Sequence, residues 1–116
     1  MGEIKKDLLE NFKEFLVSAE TDLQEKRYNP AISSYFKAIV ILCDYMIYIE
    51  RGLLPKNHRE RFLFLQLNFK AAHDLISPLF KEYTDSYNFR IQREKVLELK
   101  QSVEKLKRIF KIEERI

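Results

Sequence analysis

The sequence predicts an all-α protein, a four-helix up-and-down bundle whose third helix breaks near Pro78, and three observations predict it. Only two glycines and three prolines punctuate 116 residues, too few turn formers for a β-rich or loop-rich chain. Apolar residues recur at three- and four-residue steps through the long segments. The connections between those segments are short, which favours antiparallel neighbours. With 46% apolar residues, a single domain spanning 1–116 can bury roughly two-thirds of its unfolded surface in one core.

Helix one is expected over about residues 3–26, with Ile4, Leu8, Phe12, Phe15, Leu16, Ala19 and Leu23 forming one stripe. Asn29-Pro30 reads as a restart, with Asn as cap and Pro at the first helical position. Helix two then runs from Pro30 to about Arg51. Its Ile39, Val40, Ile41, Leu42, Cys43, Met46, Ile47 and Ile49 cover more than one face, which suits a central helix or one at a subunit interface. Gly52 stops it and Pro55 prevents its continuation. Helix three starts near Asn57 or His58, with Phe62, Leu65, Phe69, Ala72, Leu75 and Ile76 on its buried face, and continues past a bend at Pro78 towards Tyr87. Asn88 to Gln92 forms the last turn. Helix four follows to the C-terminus, with Val96, Leu99, Val103, Leu106 and Phe110 spaced like a heptad seam.

Several function classes are excluded on composition and spacing. The single Cys43 rules out an intrachain disulfide and fits a reducing cytoplasm, the expected location. No run reaches the length of a membrane span, and the charged start lacks the apolar core of a signal peptide. The two His and one Cys are scattered, so no metal site is expected, and with glycine only at Gly2 and Gly52 there is no phosphate loop. No cofactor is called for. Tyr28 to Ile39 faintly echoes a tetratricopeptide helix, but no second copy follows.

Charge is uneven. Residues 1–50 carry six Lys/Arg against nine Asp/Glu, whereas residues 51–116 carry fifteen against nine. Arg51, Lys56, Arg59 and Arg61 oppose only Glu60, a basic corner that would attract a polyanion. Arg51 and His58 flank the Gly52–Pro55 turn, where a guanidinium that forks onto phosphate and an imidazole that exchanges a proton near neutral pH could face one volume. Lys37, Asp44 and Arg51 follow each other at seven-residue steps along the apolar second helix, with Tyr48 between the last two. Charges on so apolar a helix must pair with each other, meet polar groups of another helix, or line a wet cleft.

The segments from Tyr28 to Ala38 and from Arg51 to His58 resemble those of HEPN domains (higher eukaryotes and prokaryotes nucleotide-binding) of the stand-alone prokaryotic type. In the former, Lys37-Ala38 leads into the apolar run; the latter is similar to the family's Arg, four to six residues, His motif, here with six between. Tyr83 and Tyr87 fall where many members carry tyrosines before the last helix. The resemblance covers almost the whole chain. It implies a cytoplasmic homodimer, away from membranes, that works with a minimal nucleotidyltransferase partner and takes RNA or a nucleotide as ligand. It implies a metal-independent RNA endonuclease of toxin type in which Arg51 and His58 are catalytic. The RNA 2′-hydroxyl would attack the adjacent phosphate, with His58 as general acid or base and Arg51 stabilising the phosphoryl oxygens. Lys56, Arg59 and Arg61, with Lys37, Asp44 and Tyr48, would bind the nucleic acid or nucleotide. The alternative is a non-catalytic dimeric module that binds a nucleotide or substrate for the nucleotidyltransferase.

Overall fold

In the computed structural model, which describes residues 2–112, the chain is all-helical. Among the described residues it forms α1 (Gly2–Gln24), α2 (Tyr28–Arg51), α3 (His58–Asn68), α4 (Lys70–Asp85) and α5 (Arg93–Phe110). The residues beyond Ile112, to which helix four was expected to extend, lie outside the described residues. The helices pack into a bundle of 37 × 24 × 23 Å.

α2 is the axis of the bundle. α1 packs along most of it, and α5, α4 and α3 cover its remaining sides. Ala31, Ile32, Tyr35, Phe36, Ile39, Leu42, Cys43 and Ile47 are buried, so the apolar surplus of α2 is consumed inside the chain. The expectation that no run reaches membrane-span length is corrected here. α2 is long and apolar enough to cross a membrane by length and composition, with a mean hydropathy of 1.5, yet 56% of that window is buried in the fold. The spacing of α5 works as expected: Val96, Leu99, Val103, Leu106 and Phe110 are all buried.

Two local expectations are corrected by tertiary contacts. Asn29 does not cap α2, which begins at Tyr28 with Pro30 inside its first turn, where the missing N–H costs nothing. Instead the Asn29 side chain reaches across the fold. Its Nδ2 donates to the carbonyls of Ser86 (2.8 Å) and Phe89 (2.7 Å), and its Oδ1 accepts from the Ile91 N–H (3.1 Å). That amide ties the α4–α5 connection to the start of α2.

The expected third helix occurs as two, divided at Phe69 rather than at Pro78, so five helices stand where four were expected. Phe69 leaves helical geometry (φ −140°, ψ 65°), and its ring packs edge-on against Phe110 of α5 at 5.4 Å. Asn68 Nδ2 closes the end of α3 by donating to the Phe64 carbonyl at 3.0 Å. The helix thus breaks where a partly buried aromatic ring packs against α5, while the exposed Pro78 is carried within α4.

Candidate functional site

The corner between α2 and α3 is built by local rules. Gly52 takes the left-handed conformation (φ 75°) and returns its N–H to the Tyr48 carbonyl at 2.7 Å, ending α2. Asn57 caps α3 by accepting from the Glu60 N–H at 2.8 Å, and Glu60 reaches back to the Lys56 N–H at 3.3 Å. His58 is therefore the first residue of α3, held at a defined height beside α2.

From there the partnership departs from the expected one. Arg51 is exposed, and its guanidinium lies 5.5 Å from the centre of the Phe64 ring. Phe64 follows His58 by six positions on α3, which puts the two side chains ~120° apart around that helix. The guanidinium at His58 belongs to Arg61, one turn along α3. Sequence assigns Arg61 to an exposed basic corner, but it is only 8% exposed. Its Nε and Nη2 grip Asp44 Oδ1 and Oδ2 at 2.6 and 2.9 Å, and its Nη1 lies 2.8 Å from His58 Nδ1. Asp44, a costly charge on an apolar helix, is thus matched by a cation from another helix.

Because a guanidinium can only donate, His58 Nδ1 must accept, and the neutral ring carries its proton on Nε2. Burial lowers the His58 pKa, the Arg61 charge lowers it further, and Asp44 opposes both. Burial also raises the Asp44 carboxyl above its ordinary value, against the pull of the Arg61 hydrogen bonds and charge. The result is a neutral imidazole with one nitrogen occupied and the other a donor.

His58 lies on the rim of a cleft of about 210 Å³ lined by Phe15, Phe36, Lys37, Val40, Ile41 and Tyr83. Tyr83 stacks on Phe36 at 4.6 Å with the ring planes 14° apart, and its hydroxyl meets that of the exposed Tyr87 at 2.7 Å. Lys37 is exposed with its ammonium 5.6 Å from the Phe15 ring centre. Phe36 itself is buried beneath Tyr83, so the cleft offers the partly exposed rings of Phe15 and Tyr83, a cation and an N–H donor, a combination that suits a flat ring joined to an anionic group.

Of the residues singled out in the sequence, the fold gathers Lys37, Asp44, His58 and Arg61 at or behind this cleft. Lys56 and Arg59 are exposed, do not line this cleft and have no salt bridge among the described residues. Tyr48 is buried in the core. Cys43 is fully buried and its thiol is pushed well up by burial, so it has no nucleophilic character. Tyr83 was already singled out with Tyr87, but sequence reasoning missed Phe36 beneath it and Arg61 as the partner of His58. The signals for Arg61 were its three-residue spacing from His58 and the need of Asp44 for a counter-charge. Among the described residues, no three His, Cys, Asp or Glu side chains gather where a metal ion could be held. Compared with protein-family models, curated proteins and solved structures, the chain matches none.

Proposed function

We propose that the chain is a HEPN-like binding module, holding a nucleotide or one unit of an RNA strand for a nucleotidyltransferase partner in the cytoplasm. The observation that carries this reading is the 2.8 Å contact between Arg61 Nη1 and His58 Nδ1. A general base needs a free lone pair, and that of Nδ1 is taken while Nε2 bears the proton. A general acid needs an imidazolium, which burial and then the Arg61 charge disfavour. A donor needs only what is present. His58 Nε2 donates to the ligand, Lys37 attracts its phosphate, and the aromatic walls take its base. Leu53 and Leu54 in the turn and Leu63 and Leu67 along α3 are exposed large apolar side chains, and they support pairing of two copies through the turn and α3.

A second reading, the metal-independent ribonuclease, is favoured by one feature. Arg51 is exposed and has no salt bridge among the described residues, so its guanidinium could serve a phosphate. One experiment separates the two. A labelled single-stranded RNA and ATP are titrated into the protein in excess chelator, and the RNA ends are then analysed. Saturable binding with intact RNA supports the module. Cleavage to cyclic-phosphate ends, lost in both Arg51→Ala and His58→Ala, would install the ribonuclease in its place. Neither binding nor cleavage would overturn both.

A further inference from the structure

Exposed large apolar side chains differ in kind between two regions of the fold. Those of the turn and α3 are all leucines, whereas the connection from α4 to α5 exposes two aromatic rings, Tyr87 at 70% and Phe89 at 64%. Among the described residues no other Phe or Tyr is exposed. We infer that this connection is a second binding surface, a stacking platform for a single nucleic-acid strand that continues out of the cleft. The inference rests on the reading of that cleft as a site for a base and its phosphate.

The two rings are fixed where they stand. Asn29 Nδ2 holds the carbonyls of Ser86 and Phe89, and Asn29 Oδ1 accepts from the Ile91 N–H. The N–H groups of Asn88 and Phe89 return to the Asp85 carbonyl at 3.1 and 2.9 Å. Ile91, two residues past Phe89, is folded into the core at 8% exposure, so the same connection does bury an apolar side chain. Tyr87 and Phe89 are instead carried in water on a pinned backbone, which lowers the ordering cost of anything that stacks on them.

Position and charge then select the ligand. The Tyr87 hydroxyl meets that of Tyr83 at 2.7 Å, with ring centres 5.5 Å apart and planes at 71°. Tyr83 walls the cleft, so the platform begins at the cleft's own edge. A strand with one base in the cleft finds the Tyr87 ring beside it for the next. The acids at this end of α4 are already matched, Asp85 by Lys81 at 2.7 Å and Glu82 by Lys95 at 3.3 Å. Arg90 and Arg93 are exposed and have no salt bridge among the described residues, and only Glu94 opposes them between Ser86 and Glu94. Rings interleaved with guanidinium groups suit a chain of bases joined by phosphates, and every base offers a face to stack. Aromatic and Arg side chains also mark protein interfaces. Continuity with a cleft that already offers Tyr83 and Lys37 decides for the strand.

Calorimetry with ATP and with oligoadenylates, from the dinucleotide upwards, tests the platform. The oligomers are 2′-O-methylated, so none can be cleaved at its phosphates by the 2′-hydroxyl. Affinity should rise about tenfold from ATP to the longer oligomers. Tyr87→Ala should remove about that tenfold gain while leaving ATP affinity and Tm unchanged, whereas Tyr87→Phe keeps the ring and should bind like wild type. Phe89→Ala should act in the same direction as Tyr87→Ala. Arg90→Gln and Arg93→Gln should each lower the salt dependence of oligomer binding by about one phosphate contact. Oligomers that bind no more tightly than ATP, or equally well to Tyr87→Ala, Phe89→Ala and wild type, would overturn the platform and leave the cleft's reading standing. Binding of neither ATP nor oligomer would overturn the cleft's reading and the platform with it. Self-association that is lost in Tyr87→Ala while oligomer binding is unaltered would assign the rings to a second copy of the chain and overturn the platform.

Discussion

The guanidinium of Arg61 donates to His58 Nδ1 at 2.8 Å across one turn of α3, while its other nitrogens hold both oxygens of Asp44. One side chain thus sets the tautomer of the histidine and neutralises the charge on the central helix. The properties of the cleft follow from this link, and so do the first two predictions.

Asp44 and Arg61 should behave as an energetic unit. Asp44→Leu leaves a largely buried guanidinium without its counter-charge and should cost about 3 kcal/mol in urea unfolding, as should Arg61→Leu. The double variant should cost far less than the two losses added together. Simple additivity would show that the pair contributes little.

Stability should depend on the protonation of His58, and the sign is fixed by the direction of its pKa. The folded-state value lies below the ordinary 6.5, because burial and Arg61 disfavour the charged ring more than Asp44 favours it. The unfolded chain therefore binds this proton more readily than the native state. The stabilisation is fully present above about pH 6.5 and is lost as pH falls through the lower folded-state value. Urea midpoints measured from about pH 7.5 down to about pH 5.5 should fall further in wild type than in His58→Gln. Equal slopes would show that the ring titrates as it does in water.

Asn29 should matter beyond its position on a helix end. Its three hydrogen bonds hold the segment from Ser86 to Ile91. Asn29→Ala should cost about 2 kcal/mol and accelerate amide exchange at Ile91. Asn29→Asp replaces two donated bonds with carboxylate–carbonyl repulsion and should cost at least as much. An unchanged exchange rate at Ile91 would show that the segment is held by other contacts.

Gly52→Ala tests backbone strain without a steric complication. The residue sits at φ 75°, and an added Cβ would meet nothing within 4 Å. The cost should be about 1 kcal/mol, from the left-handed conformation alone. A much larger loss of thermal stability would mean that the turn has to reorganise.

Lys37 should carry the electrostatic part of ligand binding. Lys37→Ala should weaken ATP or RNA binding about tenfold and reduce its salt dependence by about one phosphate contact. Thermal stability should hardly change, because the side chain is exposed. An affinity equal to wild type would move the anion site away from the cleft.

The amino-acid order by itself determined the helical class, the dominance of α2, the corner at Gly52, the start of α3 at His58 and the buried seam of α5. Each of these follows from local periodicity or from the backbone preference of a few neighbouring residues. Only the tertiary structure decided that the helix breaks at Phe69, where a ring finds Phe110, and that Asn29 reaches Ser86, Phe89 and Ile91 instead of capping its own helix. It also decided which arginine meets the histidine. Arg51 and Arg61 are equally cationic in sequence. Asp44 needed a counter-charge within reach, and packing brought Arg61 of α3 to it while leaving Arg51 on the surface against Phe64. Contacts between helices depend on how their faces are rotated against each other, and that rotation is set when the whole core closes.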